Sequence, residues 1–167
     1  MNSQVAEVRT ANRQWLALAV CLLICFAVAG VGGALTSMGL GPWYDSLKKP
    51  PWNPPAWVFV PVWTVLYGLM AVAAWLVWRR RDVRPAKQAL RLFAVQLALN
   101  LGWSALFFGM RGPAWAFFEI LLLWTAIAAT VVLFWRVRPL AGMLLVPYLL
   151  WVGFAALLNG TIVTLNS

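Results

Sequence analysis

The sequence predicts an all-α membrane protein, a bundle of five transmembrane helices that forms a single domain over residues 1–167. Hydrophobic residues make up 63% of the chain, charged residues make up 10%, and the mean hydropathy is +0.82. A soluble domain is only about half apolar and about a quarter charged. Five apolar segments also come close to the roughly 20 residues that a helix needs to cross a bilayer.

The first segment, near residues 15–37, follows Arg9 and Arg13 and so resembles a signal peptide. Its apolar stretch from Trp15 to Leu35 is longer than the usual core of about 7–15 residues, so we expect an uncleaved anchor. A loop over residues 38–56 follows it.

The other four segments lie near residues 57–78, 87–110, 113–135 and 140–162. Pro85, Pro113 and Pro139 stand at or near the starts of the last three, where a missing backbone N–H costs little. Pro61 and Pro147 fall inside the second and fifth segments, so each should kink its helix.

The basic residues lie between the apolar segments, which argues against nucleic acid as the reason for the net charge of +9. Five spans put ten basic residues on the face that holds the N-terminus, and three on the face that holds the 38–56 loop and the C-terminus. The positive-inside rule makes the ten-residue face cytoplasmic.

Residue types exclude several kinds of site. The chain has no His, and Cys21 and Cys25 lie four apart on one face of an apolar helix. A dedicated zinc or copper site therefore lacks ligands, and Ser-His-Asp or Cys-His catalysis is excluded. We expect no required cofactor and no metal.

Ten of the twelve tryptophans fall in or beside the segments. An interfacial belt explains the six near segment ends: Trp15, Trp57, Trp75, Trp78, Trp115 and Trp135. Four lie deeper: Trp63, Trp103, Trp124 and Trp151. At about 1.5 Å per residue, Trp63 is about 9 Å and Trp103 about 10 Å below the outer end of its helix.

Polar side chains occur at the same depth. Asn100 and Ser104 are one helical turn apart, and Asn100 should point into the bundle, either as part of a pocket or only to hold helices together. Glu119 lies well inside the fourth segment, where a carboxylate indicates a ligand or proton role. Alternatively, Glu119 is neutral or reaches Arg111.

Three stretches of the chain resemble the translocator protein family: WYDSLKKPPWNPPAW, residues 43–57, and the later QLALNLGWSALFFGMR and PLAGMLLVPYLLWVGFAALLN. This family is also called TspO, tryptophan-rich sensory protein or peripheral-type benzodiazepine receptor. The resemblance extends from Gly33 to Asn159. It implies a bacterial member of the family, a five-helix bundle that binds protoporphyrin IX and benzodiazepine-site ligands. The implied pocket residues are Tyr44, Trp52, Trp63, Asn100, Trp103, Trp151, Phe154 and Ala155, to which we add Ser104 because it shares a face with Asn100.

The expected function is a membrane receptor for porphyrins in tetrapyrrole or stress sensing, with the proline-rich loop as a lid. Lys48 and Lys49 could meet porphyrin propionates or lipid phosphate. One alternative is an enzyme that degrades porphyrin with light and oxygen, in which the resemblance makes Trp63 and Trp151 the catalytic residues. Another is a porphyrin or lipid transporter, although no internal repeat is visible.

The resemblance also implies a homodimer through the helix near 87–110, where Ala94, Ala98 and Gly102 place a small residue every four positions. Packing within one bundle is the alternative.

Gly160 and Thr164 stand where animal members carry the Tyr and Arg of a sterol pattern, so strong sterol binding is not expected. A helical bundle favours the cytoplasmic membrane, and the bacterial outer membrane stays open.

Overall fold

Six α-helices account for most of the chain in the computed structural model, which describes the backbone of residues 2–167 and the side chains from residue 12 onward. They are α1 (Asn2–Gly39), α2 (Pro42–Ser46), α3 (Ala56–Trp78), α4 (Arg84–Ser104), α5 (Pro113–Val137) and α6 (Pro139–Leu165). A π-helical turn, Ala105–Gly109, continues α4. Over residues 2–167 there is no β-strand, so the all-α prediction is confirmed.

In the described part of the chain, five helical stretches are long and apolar enough to cross a membrane, as predicted. They are Asn12–Gly39, Ala56–Trp78, Arg84–Gly109 (α4 with its π-helical continuation), Pro113–Val137 and Pro139–Leu165. The 38–56 segment, expected to be a loop, contains the short helix α2. It begins at Pro42, whose fixed φ suits a first helical turn. Gly41 before it has φ 114°, a conformation that favours glycine.

The five long helices form a bundle in which α3 contacts all four of the others and the remaining four pack around it. Helix α1 contacts α3 and α4, α3 contacts α6, α6 contacts α5, and α5 contacts α4. The backbone N–H of Lys48 bonds to the side chain of Asn166, so the segment between α1 and α3 lies at the same end of the bundle as the C-terminus. Met70, Ile120 and Tyr148 are among the side chains buried inside the bundle.

Helices α5 and α6 approach closely because aromatic rings of α5 lie over glycines of α6. A Cβ placed on Gly142 would be 2.9 Å from the Trp135 side chain. A Cβ on Gly153 would be 3.1 Å from Trp124 Nε1, and one on Gly160 would be 2.8 Å from Phe117 Cε2. The three pairs follow one antiparallel register, so the missing side chains of α6 make the room that the rings of α5 occupy.

Glycine also allows the end of α1 to meet the π-helical turn. A Cβ on Gly39 would be 2.6 Å from the backbone oxygen of Phe108. Real Cβ atoms do not come this near a backbone atom, so only glycine fits here. This contact fixes where α1 ends relative to α4, and hence where the following segment begins.

We predict that Gly142→Ala destabilises the protein by about 1–3 kcal/mol, the usual cost of overpacking a core. The new methyl group would meet Cα of Trp135 at 3.0 Å, and a rotamer change cannot move that atom. The measurement is denaturation by SDS in bicelles, followed by circular dichroism.

Gly68→Ala is the matched control, because a Cβ on Gly68, also in a long helix, would meet nothing within 4 Å. Its stability should stay equal or rise, by at most about 1 kcal/mol from helix propensity. Equal stability of the two variants would show that the α5–α6 contact tolerates a wider spacing.

Candidate ligand-binding site

A chain of hydrogen-bonded polar side chains crosses the middle of the bundle. The Tyr67 hydroxyl donates to Asn100 Oδ1 at 2.7 Å, and Asn100 Nδ2 donates to the Tyr148 hydroxyl at 2.9 Å. The Tyr148 hydroxyl donates in turn to Gln96 Oε1 at 2.9 Å. All four side chains are buried, and they come from α3, α4 and α6. The chain of bonds therefore ties three helices together.

Asn100 thus uses both ends of its amide within the bundle. The sequence left two interpretations of this residue open, a pocket group or a link between helices, and in this structure it links helices. Its binding of a ligand stays a prediction. Gln96 Nε2, at the far end of the chain of bonds, is buried and has no hydrogen-bond partner.

Trp63 lies against this polar chain. Its ring centroid is 5.6 Å from that of Tyr67 and 6.2 Å from that of Tyr148, and the indole is half-buried. The two tyrosines are held by their hydrogen bonds, so they offer the indole a fixed surface. We call Trp63, Tyr67, Asn100 and Tyr148 the inner cluster.

Trp151 belongs to a second group, between α3 and α6. Its ring is 5.9 Å from Phe59 and 5.6 Å from Phe154, and Phe154 is 5.8 Å from Trp52. We call Trp52, Phe59, Trp151 and Phe154 the seam cluster. Because Trp52 comes from the segment between α1 and α3, this cluster connects that segment to α6. Ala155, also predicted for the site, is half-buried beside Phe154.

Trp103 belongs to a third group, at the end of α4. It stacks on Phe107 at 5.3 Å, and its indole N–H donates to Asn159 Oδ1 at 3.1 Å. Trp43 packs on Phe107 at 6.0 Å and Tyr44 on Phe108 at 5.9 Å. We call Trp43, Tyr44, Trp103, Phe107 and Phe108 the roof cluster. Ser104, predicted for the site, is buried one residue after Trp103.

The predicted residues therefore fall into three neighbouring groups. In the described part of the chain, no ring pair joins two of Trp63, Trp103 and Trp151. Each packs against Tyr or Phe instead, edge-on for Trp151 on Phe59, tilted for Trp63 on Tyr67 and stacked for Trp103 on Phe107. All three indoles are half-buried. Each thus has one supported side and some accessible surface, which is what a stacking ligand requires.

The two lysines of the segment differ. Lys49 Nζ donates to the Tyr44 backbone oxygen at 2.5 Å and lies 4.3 Å from the centre of the Tyr44 ring, whereas Lys48 is exposed. Burial raises the pKa of the Tyr44 phenol, an effect that Asn53 opposes and Asp45 reinforces. Because Lys49 is engaged by Tyr44 and Lys48 is exposed, Lys48 is the lysine left available to an anion.

Glu119 faces α4, where its Oε1 lies 3.5 Å from the position of a Cβ on Gly102. Both carboxyl oxygens are buried without a hydrogen-bond partner, so the alternative pairing with Arg111 is not formed.

On α4, Ala94 and Ala98 are exposed and Gly102 is half-buried. The first two positions of this small-residue face are therefore largely uncovered within the single chain.

The departure from the sterol pattern has a structural reason. Gly160 stands where a tyrosine was expected, and the Phe117 ring occupies the space that its side chain would need. Thr164, at the expected Arg position, is exposed near the end of α6.

Sequence reasoning missed several members of these clusters: Tyr67, Gln96, Tyr148, Phe59, Phe107 and Phe108. Spacing could have found two of them. Gln96 precedes Asn100 by four residues and Tyr67 follows Trp63 by four, and residues four apart share a helix face.

Comparison with known proteins identifies related chains. Residues 19–165 match the TspO/MBR family. The tryptophan-rich protein TspO of Chlorobaculum tepidum is 46% identical over 159 residues, which cover 93% of this chain and 99% of that protein. The tryptophan-rich sensory protein of Cereibacter sphaeroides is 41% identical over 155 residues, 93% of this chain and 94% of that protein. The human translocator protein is 45% identical over 119 residues, 70% of each chain.

We predict that Asn100→Leu lowers the free energy of unfolding by about 1–3 kcal/mol, because it breaks two hydrogen bonds between helices. A double-mutant cycle with Tyr67→Phe should give a coupling energy of about 0.6–1.7 kcal/mol. Both are measured by SDS denaturation in bicelles. Thr125→Val, which removes an exposed hydroxyl bonded only to its own helix, should change little. A coupling energy near zero would contradict a structural role for the bond.

Proposed function

The chain belongs to the TspO/MBR family, and from this premise we propose that it is a receptor for porphyrins such as protoporphyrin IX, and for synthetic benzodiazepine-site ligands. It is an integral, multi-pass membrane protein with five spanning helices. The name of its relative in Cereibacter sphaeroides supports a sensory role.

The observation that carries the proposal is the arrangement of Trp63 and Trp151 on α3 and α6, near Trp52. Both indoles are half-buried, and neighbouring rings support both. Trp52 is 47% exposed and reaches the same region through Phe154. A planar apolar ligand between the helices would thus meet aromatic surface from three separate parts of the chain.

The energetics suit a porphyrin. Each aromatic contact contributes about 0.5–1.5 kcal/mol beyond the burial of area. Three such contacts, with the apolar area of a macrocycle, make a micromolar dissociation constant reasonable, which corresponds to about −8 kcal/mol. The site has no imidazole to bind haem iron, so metal-free protoporphyrin should bind as well as haem.

The polar ends of the ligand would lie near the segment between α1 and α3. Lys48 is exposed there, and a porphyrin propionate would be a suitable partner, with lipid phosphate as the competing one. We propose the cytoplasmic membrane as the location, with this segment and the C-terminus on the outer face, because ten of the thirteen basic residues lie on the opposite side.

We also propose that the protein forms a homodimer through α4. Ala94 and Ala98 are exposed in the single chain and present a flat strip of helix backbone. In lipid, small residues favour helix association because they let two backbones approach closely.

We predict that Trp63→Leu and Trp151→Leu each weaken protoporphyrin IX binding about three- to tenfold, through loss of one stacking contact. Titration of the porphyrin absorbance in detergent measures this without relying on protein fluorescence. Trp57→Leu is the control, because Trp57 is 74% exposed and lies outside the three clusters. Unchanged affinity in both site variants, or haem binding more than tenfold tighter than protoporphyrin, would refute a stacking site.

We predict that Ala98→Leu converts the proposed dimer to a monomer, because a branched side chain prevents the close approach of two α4 helices. Light scattering coupled to size-exclusion chromatography in mild detergent measures the mass. Ala129→Leu, at an exposed alanine of α5, should leave the mass unchanged. A dimer that survives Ala98→Leu would place the interface on another helix.

A further inference from the structure

Residues 40–55, which we call the lid, cross the end of the bundle between α1 and α3. Aromatic contacts hold the lid on its two sides. On one side Tyr44 packs on Phe108 of the π-helical turn, and Trp43 on Phe107 belongs to the same contact. On the other side Trp52 packs on Phe154 of α6. Lys48 lies between these contacts, in an extended part of the lid where the backbone has no helical partner.

Asn166, just after α6, supplies that missing partner. The Lys48 N–H donates to Asn166 Oδ1 at 3.0 Å, and Asn166 Nδ2 donates to the Lys48 carbonyl oxygen at 2.9 Å. One amide therefore pairs with both backbone groups of one residue, as a neighbouring β-strand would. Asn166 Nδ2 also donates to the Ile162 carbonyl oxygen at 2.8 Å, which holds the side chain against the last turn of α6.

These two bonds set Asn166 apart from the other contacts of the lid. In the described part of the chain, every other hydrogen bond of the lid joins residues of the lid itself or of the adjoining ends of α1 and α3. Asn166 lies 118 residues from Lys48 along the chain. Among the residues that the structure describes, it is thus the one hydrogen-bonded link between the lid and a distant helix.

We propose that Asn166 is a positioning residue that holds the lid closed over the porphyrin site and thereby limits the rate at which the ligand leaves. The inference rests on the proposed function for the identity of the ligand, but not for the link between Asn166 and the lid. The lid carries Tyr44 and Trp52, so opening it would remove two predicted ligand contacts together. Four prolines between Pro50 and Pro55 stiffen the segment, so release at Lys48 should move it as a unit.

Hydrogen–deuterium exchange of the full chain in lipid nanodiscs, without ligand, tests the link directly. Asn166→Ala removes both bonds, and Asn166→Asp keeps the acceptor but turns the donor into a group that repels the Lys48 carbonyl oxygen. Peptides that cover residues 43–55 should exchange about five- to tenfold faster in both variants, the factor expected for two exposed hydrogen bonds. Peptides from α3 and α4 should not change.

Ser167→Ala is the matched control, because the Ser167 hydroxyl bonds only to Thr164 on the same helix end. Its lid should exchange at the wild-type rate. Unchanged lid exchange in Asn166→Ala and Asn166→Asp would overturn the proposal.

Dissociation of protoporphyrin IX, followed by absorbance after dilution into excess apomyoglobin as an acceptor, tests the functional part. We expect dissociation about five- to tenfold faster in Asn166→Ala, with equilibrium affinity reduced less because association is faster as well. Faster lid exchange with unchanged dissociation would overturn control of ligand release. If the wild-type protein bound no porphyrin, the proposed function would fail, and the exchange experiment would still decide the role of Asn166 in the lid.

Discussion

Polar groups in the hydrocarbon region of a membrane need hydrogen-bond partners inside the protein, because no water is available there to bond to them. The structure depends on this constraint. Tyr67, Asn100, Tyr148 and Gln96 meet this need together, and in doing so they fix α3, α4 and α6 relative to one another. Apolar side chains alone would specify this geometry poorly, because lipid tails are as apolar as they are. The same bonds hold the tyrosines against which Trp63 packs, so the polar chain and the aromatic site form one unit.

The aromatic residues add a frame around this centre. The inner, seam and roof clusters each contain one of the deep tryptophans of the predicted pocket, and each tryptophan is supported by Phe or Tyr rings. The supporting rings of the inner and seam clusters come from α3 and α6, and that of Trp103 in the roof cluster comes from the π-helical turn. Indoles held in this way would lose little side-chain entropy on binding the proposed ligand. The lid joins two of the clusters, through Tyr44 in the roof and Trp52 in the seam. The aromatic frame is thus largely preformed, although its parts come from segments far apart in the sequence.

Much of the fold could be predicted from the sequence because hydropathy and length alone mark a spanning helix. The cost of an amide in lipid also predicted that Asn100 points inward, and it is buried. The partners of Asn100 could not be predicted, since hydropathy does not say which helices are neighbours in the bundle. The link between Lys48 and Asn166 was hidden for the same reason. The helix α2 was missed because a five-residue helix leaves no periodic pattern.

The register of α5 and α6 has an evolutionary consequence. Trp135, Trp124 and Phe117 each lie over a glycine of the facing helix. Each large ring on α5 therefore fits because the facing residue of α6 has no side chain. Substitutions at these positions should therefore be correlated across homologues. A bulky side chain at the position of Gly160 would displace the edge of the Phe117 ring, so it is accommodated most easily where position 117 carries a smaller residue. The two positions should therefore change together more often than either changes alone.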